Sequence, residues 1–169
     1  LMRNEERWWL RGLAEACARS DAMLAIKLHP QEPDALLAVY EQLAAEFPDS
    51  VVVMPHGQVP LKELITASDL LVTRFSTTAF EAALLGKPVM TVNLSGGPDQ
   101  YPFAEEGGAL GVYEYEDIAA VLRSVLTDRS VRERLADSRD AFLTRHLGAR
   151  DGRATERIAK RIAAHATGG

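Results

Sequence analysis

Residues 68–93 read SDLLVTRFSTTAFEAALLGKPVMTVN, and this stretch decides the fold. It opens on a short aliphatic run at 69–73 that suits a buried strand. Arg74-Phe75-Ser76-Thr77-Thr78 then leads into a helical pattern over 78–85. Gly86 stops that helix, and a second apolar run follows at 88–94. Two strands joined by a helix form a βαβ unit. Strands apolar throughout belong to a parallel sheet covered on both faces.

The same rhythm extends outward in both directions. Upstream, a helix is expected over 4–19, with Trp8, Leu10, Leu13 and Cys17 as its apolar positions. A strand follows at 22–28 and ends at His29-Pro30, because proline lacks the N–H that a ladder needs. A second helix starts near Pro33 and carries Leu36, Val39, Tyr40, Leu43 and Phe47 at helical spacing. Next come a strand at 51–54, a loop at 55–57 and a short helix at 60–67. Downstream, 95–108 reads as a long polar loop, of a length usually functional or mobile. Helices over 117–126, 131–145 and 153–164 close the chain. The predicted fold is α/β: a Rossmann-like parallel sheet with helices on both faces and the C-terminal helices packed on it.

Composition narrows the function. The 169 residues are 47% hydrophobic and 25% charged, which suits one globular domain over 1–169. Nineteen basic against twenty-four acidic residues give a net charge of −5, which argues against a nucleic-acid partner. The basic residues that cluster, from Arg145 to Arg161, are interrupted by Asp151 and Glu156 and read as a solvated helix face. Cys17 is the one cysteine, so an internal disulfide is impossible and a cysteine zinc site is disfavoured. It is expected to be a buried small hydrophobe, and a reducing cytoplasm suits the chain. The start at Leu1 runs straight into a helical segment, as in a piece of something longer. His146 and His165 are expected on the surface.

In a doubly wound sheet, ligands bind past the carboxyl ends of the strands. That rule selects the loops at His29-Pro30, Pro55-His56-Gly57, 74–78 and 95–100. Ser76, Thr77 and Thr78 put hydroxyl donors where backbone N–H groups open a helix, a natural anion site, and Arg74 adds positive charge. The structural alternative is that Thr78 and Glu81 form a Thr-x-x-Glu capping box. Glu81 can otherwise accept from a ribose diol. His29 can donate to a phosphate oxygen or act as acid or base, and His56 has the same address. Gly96, Gly97, Asp99 and Gln100 lie in the long loop, where Asp99 and Gln100 can meet sugar hydroxyls. No metal constellation, Walker loop or G-x-G-x-x-G occurs, so neither a metal nor a cofactor is expected.

Together these segments resemble the nucleotide-binding half of GT-B glycosyltransferases and the related UDP-N-acetylglucosamine 2-epimerases. KLHP at 27–30 and DGRATERIAKRI at 151–162 look most like capsule synthesis proteins and CDP-glycerol glycerophosphotransferases. The resemblance runs over about 22–162. It implies a nucleotide-diphosphate sugar or polyol donor, with Ser76, Thr77 and Thr78 on the diphosphate and Glu81 on the ribose. It puts His29 beside the leaving group, His56-Gly57 near the base, and Asp99-Gln100 near the donor sugar. It also implies a missing N-terminal acceptor domain and a missing central strand before Leu1. Peripheral membrane association of the full enzyme and a homo-oligomer are compatible with it. Asp is common in the glycerophosphotransferase-like members where Arg74 stands. The readings to be separated are a transferase donor domain, the matching half of a 2-epimerase, and a non-enzymatic interaction domain in which Ser76, Thr78 and Glu81 only cap a helix.

Overall fold

The computed structural model describes residues 2–29, 33–55 and 57–166. In chain order the elements are α1 (Met2–Ala18), β1 (Leu24–Lys27), α2 (Asp34–Glu46), β2 (Val51–Met54), α3 (Leu61–Ala67), β3 (Leu71–Thr73) and α4 (Thr78–Leu84). Then come β4 (Val89–Val92), β5 (Leu110–Val112), a 3-10 turn (Tyr115–Asp117), α5 (Ile118–Thr127), α6 (Arg129–Leu147) and α7 (Ala154–Ala166). All the strand pairings are parallel. β1 pairs with β2 from Leu24 opposite Val51, β3 with β4 from Leu71 opposite Val89, and β4 with β5 from Met90 opposite Leu110. The sheet is therefore in two pieces, β1-β2 and β3-β4-β5.

β4 shows why the strands are mostly apolar. All four of its residues are buried. Val89 packs with Ile65, Ala79, Ala82, Ala83, Phe103 and Phe142, contributed by α3, α4, α6 and the loop before β5. Met90 and Val92 point the other way, to Leu13 and Cys17 of α1 and to Ile118 and Leu122 of α5. The period of two thus feeds two helical layers, and each side chain so buried contributes about 1.5–3 kcal/mol. The alanines of α4 let the helix lie close to the strand. Gly86, at φ +77, ends it in a backbone region that favours glycine. The N-terminus of α6 is capped by Asp128, which accepts the Ser130 N–H at 2.8 Å. Cys17 is buried, and burial pushes its thiol pKa up.

Three expectations need correction. First, β5 lies in a stretch that shows no strand pattern: it is three residues long with Gly111 at its centre. That glycine is required by packing, because a Cβ there would stand 2.7 Å from the Tyr113 ring. Second, the long loop is not polar along its whole length. Phe103 is 1% exposed, and Tyr101 and Phe103 join Phe80 and Phe142 in an aromatic cluster that anchors the loop to the core. Third, His146 is not a surface residue. Its ring packs 4.6 Å from that of Phe142, with Nδ1 2.9 Å from the Tyr101 hydroxyl and Nε2 2.7 Å from the Glu106 carboxylate. An ionised carboxylate only accepts, so Nε2 carries a proton, and the Tyr101 hydroxyl pairs with Nδ1. The basic segment is solvated, but on every face of α7 rather than on one: α7 does not pack on the sheet, Ile158 and Ile162 are exposed with the rest of it, and Arg157 pairs with both oxygens of Asp151 at 2.6 and 2.9 Å.

Candidate functional site

The selected loops lie at the carboxyl ends of parallel strands. His29 follows β1 and is exposed, and Gly57 follows β2 at φ +84. His56 and Pro30 lie outside the described residues. Lys27, the last residue of β1, donates from Nζ to the Val59 carbonyl at 2.8 Å. This contact ties β1 to the segment after β2, and so joins two of the selected loops.

The 74–78 segment is a compact turn between β3 and α4. The Thr73 hydroxyl accepts the Ser76 N–H at 3.2 Å, and Ser76 Oγ accepts the Thr78 N–H at 3.3 Å. Backbone N–H groups of Ala79 and Phe80 go to the Ser76 and Thr77 carbonyls. The two side-chain bonds are long for N–H···O and are exchangeable with a better acceptor. The Arg74 guanidinium lies 5.6 Å from the centre of the Phe75 ring, which is half exposed. The capping box does not form. Helix α4 begins at Thr78 itself, and Thr77 occupies the cap position without a side-chain cap bond of its own. Glu81 is therefore one residue too far along to reach back, and it stands exposed on the first turn. Thr73 is a member of this turn that the sequence did not single out.

The second cluster lies past β4 and β5. Asn93 donates from Nδ2 to the Gly97 carbonyl at 3.0 Å and to Asp99 Oδ1 at 2.8 Å. Its Oδ1 accepts from the Ser95 N–H and hydroxyl at 3.2 and 2.6 Å. The Tyr113 hydroxyl donates to Asp99 Oδ2 at 2.9 Å. Burial first, and the Asp99 carboxylate second, push the Tyr113 pKa up. Gly96 is exposed at φ +70, and Gly97 and Gln100 are exposed beside it. Asp99 thus organises its own loop through Asn93 and Tyr113. Neither partner was singled out from sequence: Asn93 reads as a strand end, and Tyr113 follows a strand that the pattern does not show.

The structure therefore gathers Ser76 and Thr78 into one turn and Asp99 and Gly97 into another, with His29 two residues past a strand of the other sheet. A groove of about 510 Å3 lies elsewhere, between α1, α2 and Tyr115. It is walled by Trp8, Leu10, Tyr40 and Leu43. Among the described residues there is no group of His, Cys, Asp and Glu able to hold a metal, and no helix is long and apolar enough to cross a membrane.

Known proteins place these elements. A teichoic acid glycerol-phosphate primase of Bacillus spizizenii (strain ATCC 23059 / NRRL B-14472 / W23) is 36% identical over 73 residues, covering 43% of this chain and 17% of the primase. A crystal structure of UDP-N-acetylglucosamine 2-epimerase superposes with a TM-score of 0.55 at 15% identity, covering 84% of this chain and 42% of that one. That likeness establishes the Rossmann-like GT-B half as the fold. The chain spans less than half the length of either protein. The model of one family matches residues 4–164, nearly the whole sequence, and the chain belongs to that family: the CDP-glycerol:poly(glycerophosphate) glycerophosphotransferases.

Proposed function

We propose that this chain is the donor-binding domain of a polyol-phosphate transferase that builds a cell-surface polymer, acting with an acceptor-binding domain. The observation that carries the reading is the family match over 4–164, which spans the loops past β1, β2, β3 and β4. The family match favours a CDP-linked polyol phosphate over a UDP-sugar, and the primase match favours a teichoic acid type of polymer over a capsule. At 15% identity the epimerase likeness speaks for the fold and not for its chemistry.

In this reading the diphosphate of the donor replaces the hydroxyl acceptors now held by the Ser76 and Thr78 N–H groups. Hydroxyls of Ser76, Thr77 and Thr78 add donors, and Arg74 supplies charge by leaving its place beside Phe75. Glu81 takes the ribose hydroxyls, Gly57 lies by the base, and Gly96, Gly97, Asp99 and Gln100 border the polyol. An acceptor hydroxyl attacks the phosphorus that carries the polyol. A new P–O bond forms, the anhydride P–O bond breaks, and the nucleoside monophosphate leaves with the bond's electron pair. His29 donates a hydrogen bond to the oxygen on which that charge develops. The hydroxyl proton passes to a base on the acceptor side.

The test is calorimetric titration of CDP-glycerol, CDP and UDP-N-acetylglucosamine into the chain and into the longer polypeptide that carries it. Binding of the CDP compounds, lost in Ser76→Ala and Glu81→Ala, supports the reading. A preference for the UDP-sugar, or no binding of any nucleotide to the longer polypeptide, overturns it.

A further inference from the structure

The carboxyl ends of β3, β4 and β5 lie side by side, two strand spacings or about 10 Å across. Past β3 stands the 74–78 turn, past β4 the loop that holds Asp99, and past β5 Tyr113. The ladder runs out to this edge, since the Asn93 N–H donates to the Val112 carbonyl at 2.8 Å. Two features fix the Tyr113 phenol there. Its ring and hydroxyl occupy the space of a side chain at Gly111, where a Cβ would stand 2.7 Å from them. Its hydroxyl donates to Asp99 Oδ2 at 2.9 Å, while Asp99 Oδ1 accepts from Asn93 Nδ2 at 2.8 Å. Both oxygens of Asp99 are thus engaged from within the protein. The phenol differs. A tyrosine hydroxyl can donate and accept, and among the described residues only its donor is used. Burial first, and the Asp99 and Glu105 carboxylates after it, push its pKa up, so it stays a neutral phenol. At 49% exposed, it can be reached from solvent.

We propose that Tyr113 recognises the polyol of the donor: its oxygen accepts a hydrogen bond from a free polyol hydroxyl, while Asp99 holds the phenol from behind. This inference rests on the donor-domain reading above and adds the contact that separates a polyol from a group without hydroxyls. With the diphosphate at the 74–78 turn, past β3, a polyol lying over the end of β4 brings its far hydroxyls to the end of β5. Asp99 is then a positioning residue, which acts through the phenol. The contact moves no proton, so it sets affinity and the choice of donor and not the chemical step.

The test is calorimetric titration of the longer polypeptide with CDP-glycerol, with CDP, and with the propyl ester of CDP, which is the same donor without its two free hydroxyls. Tyr113→Phe keeps the ring over Gly111 and removes the hydroxyl alone. The parent should bind CDP-glycerol about three- to tenfold more tightly than the propyl ester, the worth of one neutral hydrogen bond. Tyr113→Phe should erase that preference and leave the affinities for the propyl ester and CDP unchanged. Asp99→Ala, which leaves the phenol unheld, should erase it as well. A preference retained in Tyr113→Phe overturns the proposal, and if Asp99→Ala alone loses it, the contact belongs to the carboxylate. An equal loss for all three ligands in Tyr113→Phe marks a structural ring and overturns the proposal too. Parent protein that binds CDP without preferring CDP-glycerol overturns this contact alone. Parent protein that binds no CDP compound overturns the donor reading and the contact together.

Discussion

The Tyr113 hydroxyl, just past β5, donates a 2.9 Å hydrogen bond to Oδ2 of Asp99, in the loop past β4. The bond closes the carboxyl ends of two adjacent strands with a side-chain clamp. It depends on Gly111, since a larger residue there would meet the Tyr113 ring. Asp99→Asn should lower the Tyr113 pKa, because the phenolate no longer forms beside a carboxylate. Ultraviolet titration of the tyrosines in both proteins checks this. An unchanged Tyr113 titration would remove the clamp from the account.

Glu106 sits between Arg145 at 2.9 Å and His146 at 2.7 Å. Arg145 first, and His146 second, hold its carboxyl below the usual range. A carboxyl lowered in the folded state adds stability above its unfolded pKa, about 4.3. That stability is lost as pH falls through the folded value. Melting temperatures followed from about pH 6 downward should therefore drop less steeply for Glu106→Gln than for the parent below about pH 4.3. Parallel curves would show that the pair contributes nothing to acid sensitivity.

Gly108 lies against the Phe142 ring, and a Cβ added at Gly108 would stand only 2.7 Å from it. Phe142 is itself stacked on Phe80, centroids 5.4 Å apart, and 1% exposed, so it has little room to retreat. Gly108→Ala should destabilise by about 1–3 kcal/mol through overpacking. Phe142→Ala should cost about 3–5 kcal/mol by leaving a cavity. The double variant should cost less than the sum, because the methyl then enters the space the ring left. Chemical denaturation of the three variants measures the coupling, and strict additivity would contradict the contact.

What the sequence showed and hid follows from range. Runs such as 51–54 and 89–92 carry their own evidence, because a strand covered by helices is apolar at most positions: all of 51–54 is, and of the four buried residues of 89–92 only Thr91 is polar. Gly86 marks a helix end by the same local logic. The strand at Leu110–Val112 is too short to show a pattern, and it exists through its pairing with β4. His146 looks like a surface residue until Tyr101 and Glu106, 45 and 40 positions away, close around it. The site divides in the same way. The 74–78 turn is local and legible, whereas the Asn93–Asp99–Tyr113 cluster joins two strands and emerges only in three dimensions.

Glu81 allows a sharp separation of structural from functional roles. A capping glutamate stabilises its helix, so its loss lowers the melting temperature whether or not a ligand is present. Here α4 begins at Thr78, the cap residue Thr77 makes no side-chain cap bond, and Glu81 is exposed. Glu81→Ala should therefore change stability by less than about 0.5 kcal/mol, as exposed substitutions usually do. Ser76→Ala removes the acceptor for the Thr78 N–H and should cost about 0.5–1 kcal/mol, in the range of a lost cap contact. If Glu81 holds the ribose, its alanine variant should lose CDP affinity by about tenfold or more, the worth of one charged hydrogen bond. Paired denaturation and titration of the two variants read both quantities. A stability loss at Glu81 with unchanged nucleotide affinity would return that residue to a structural role and withdraw it from the donor site.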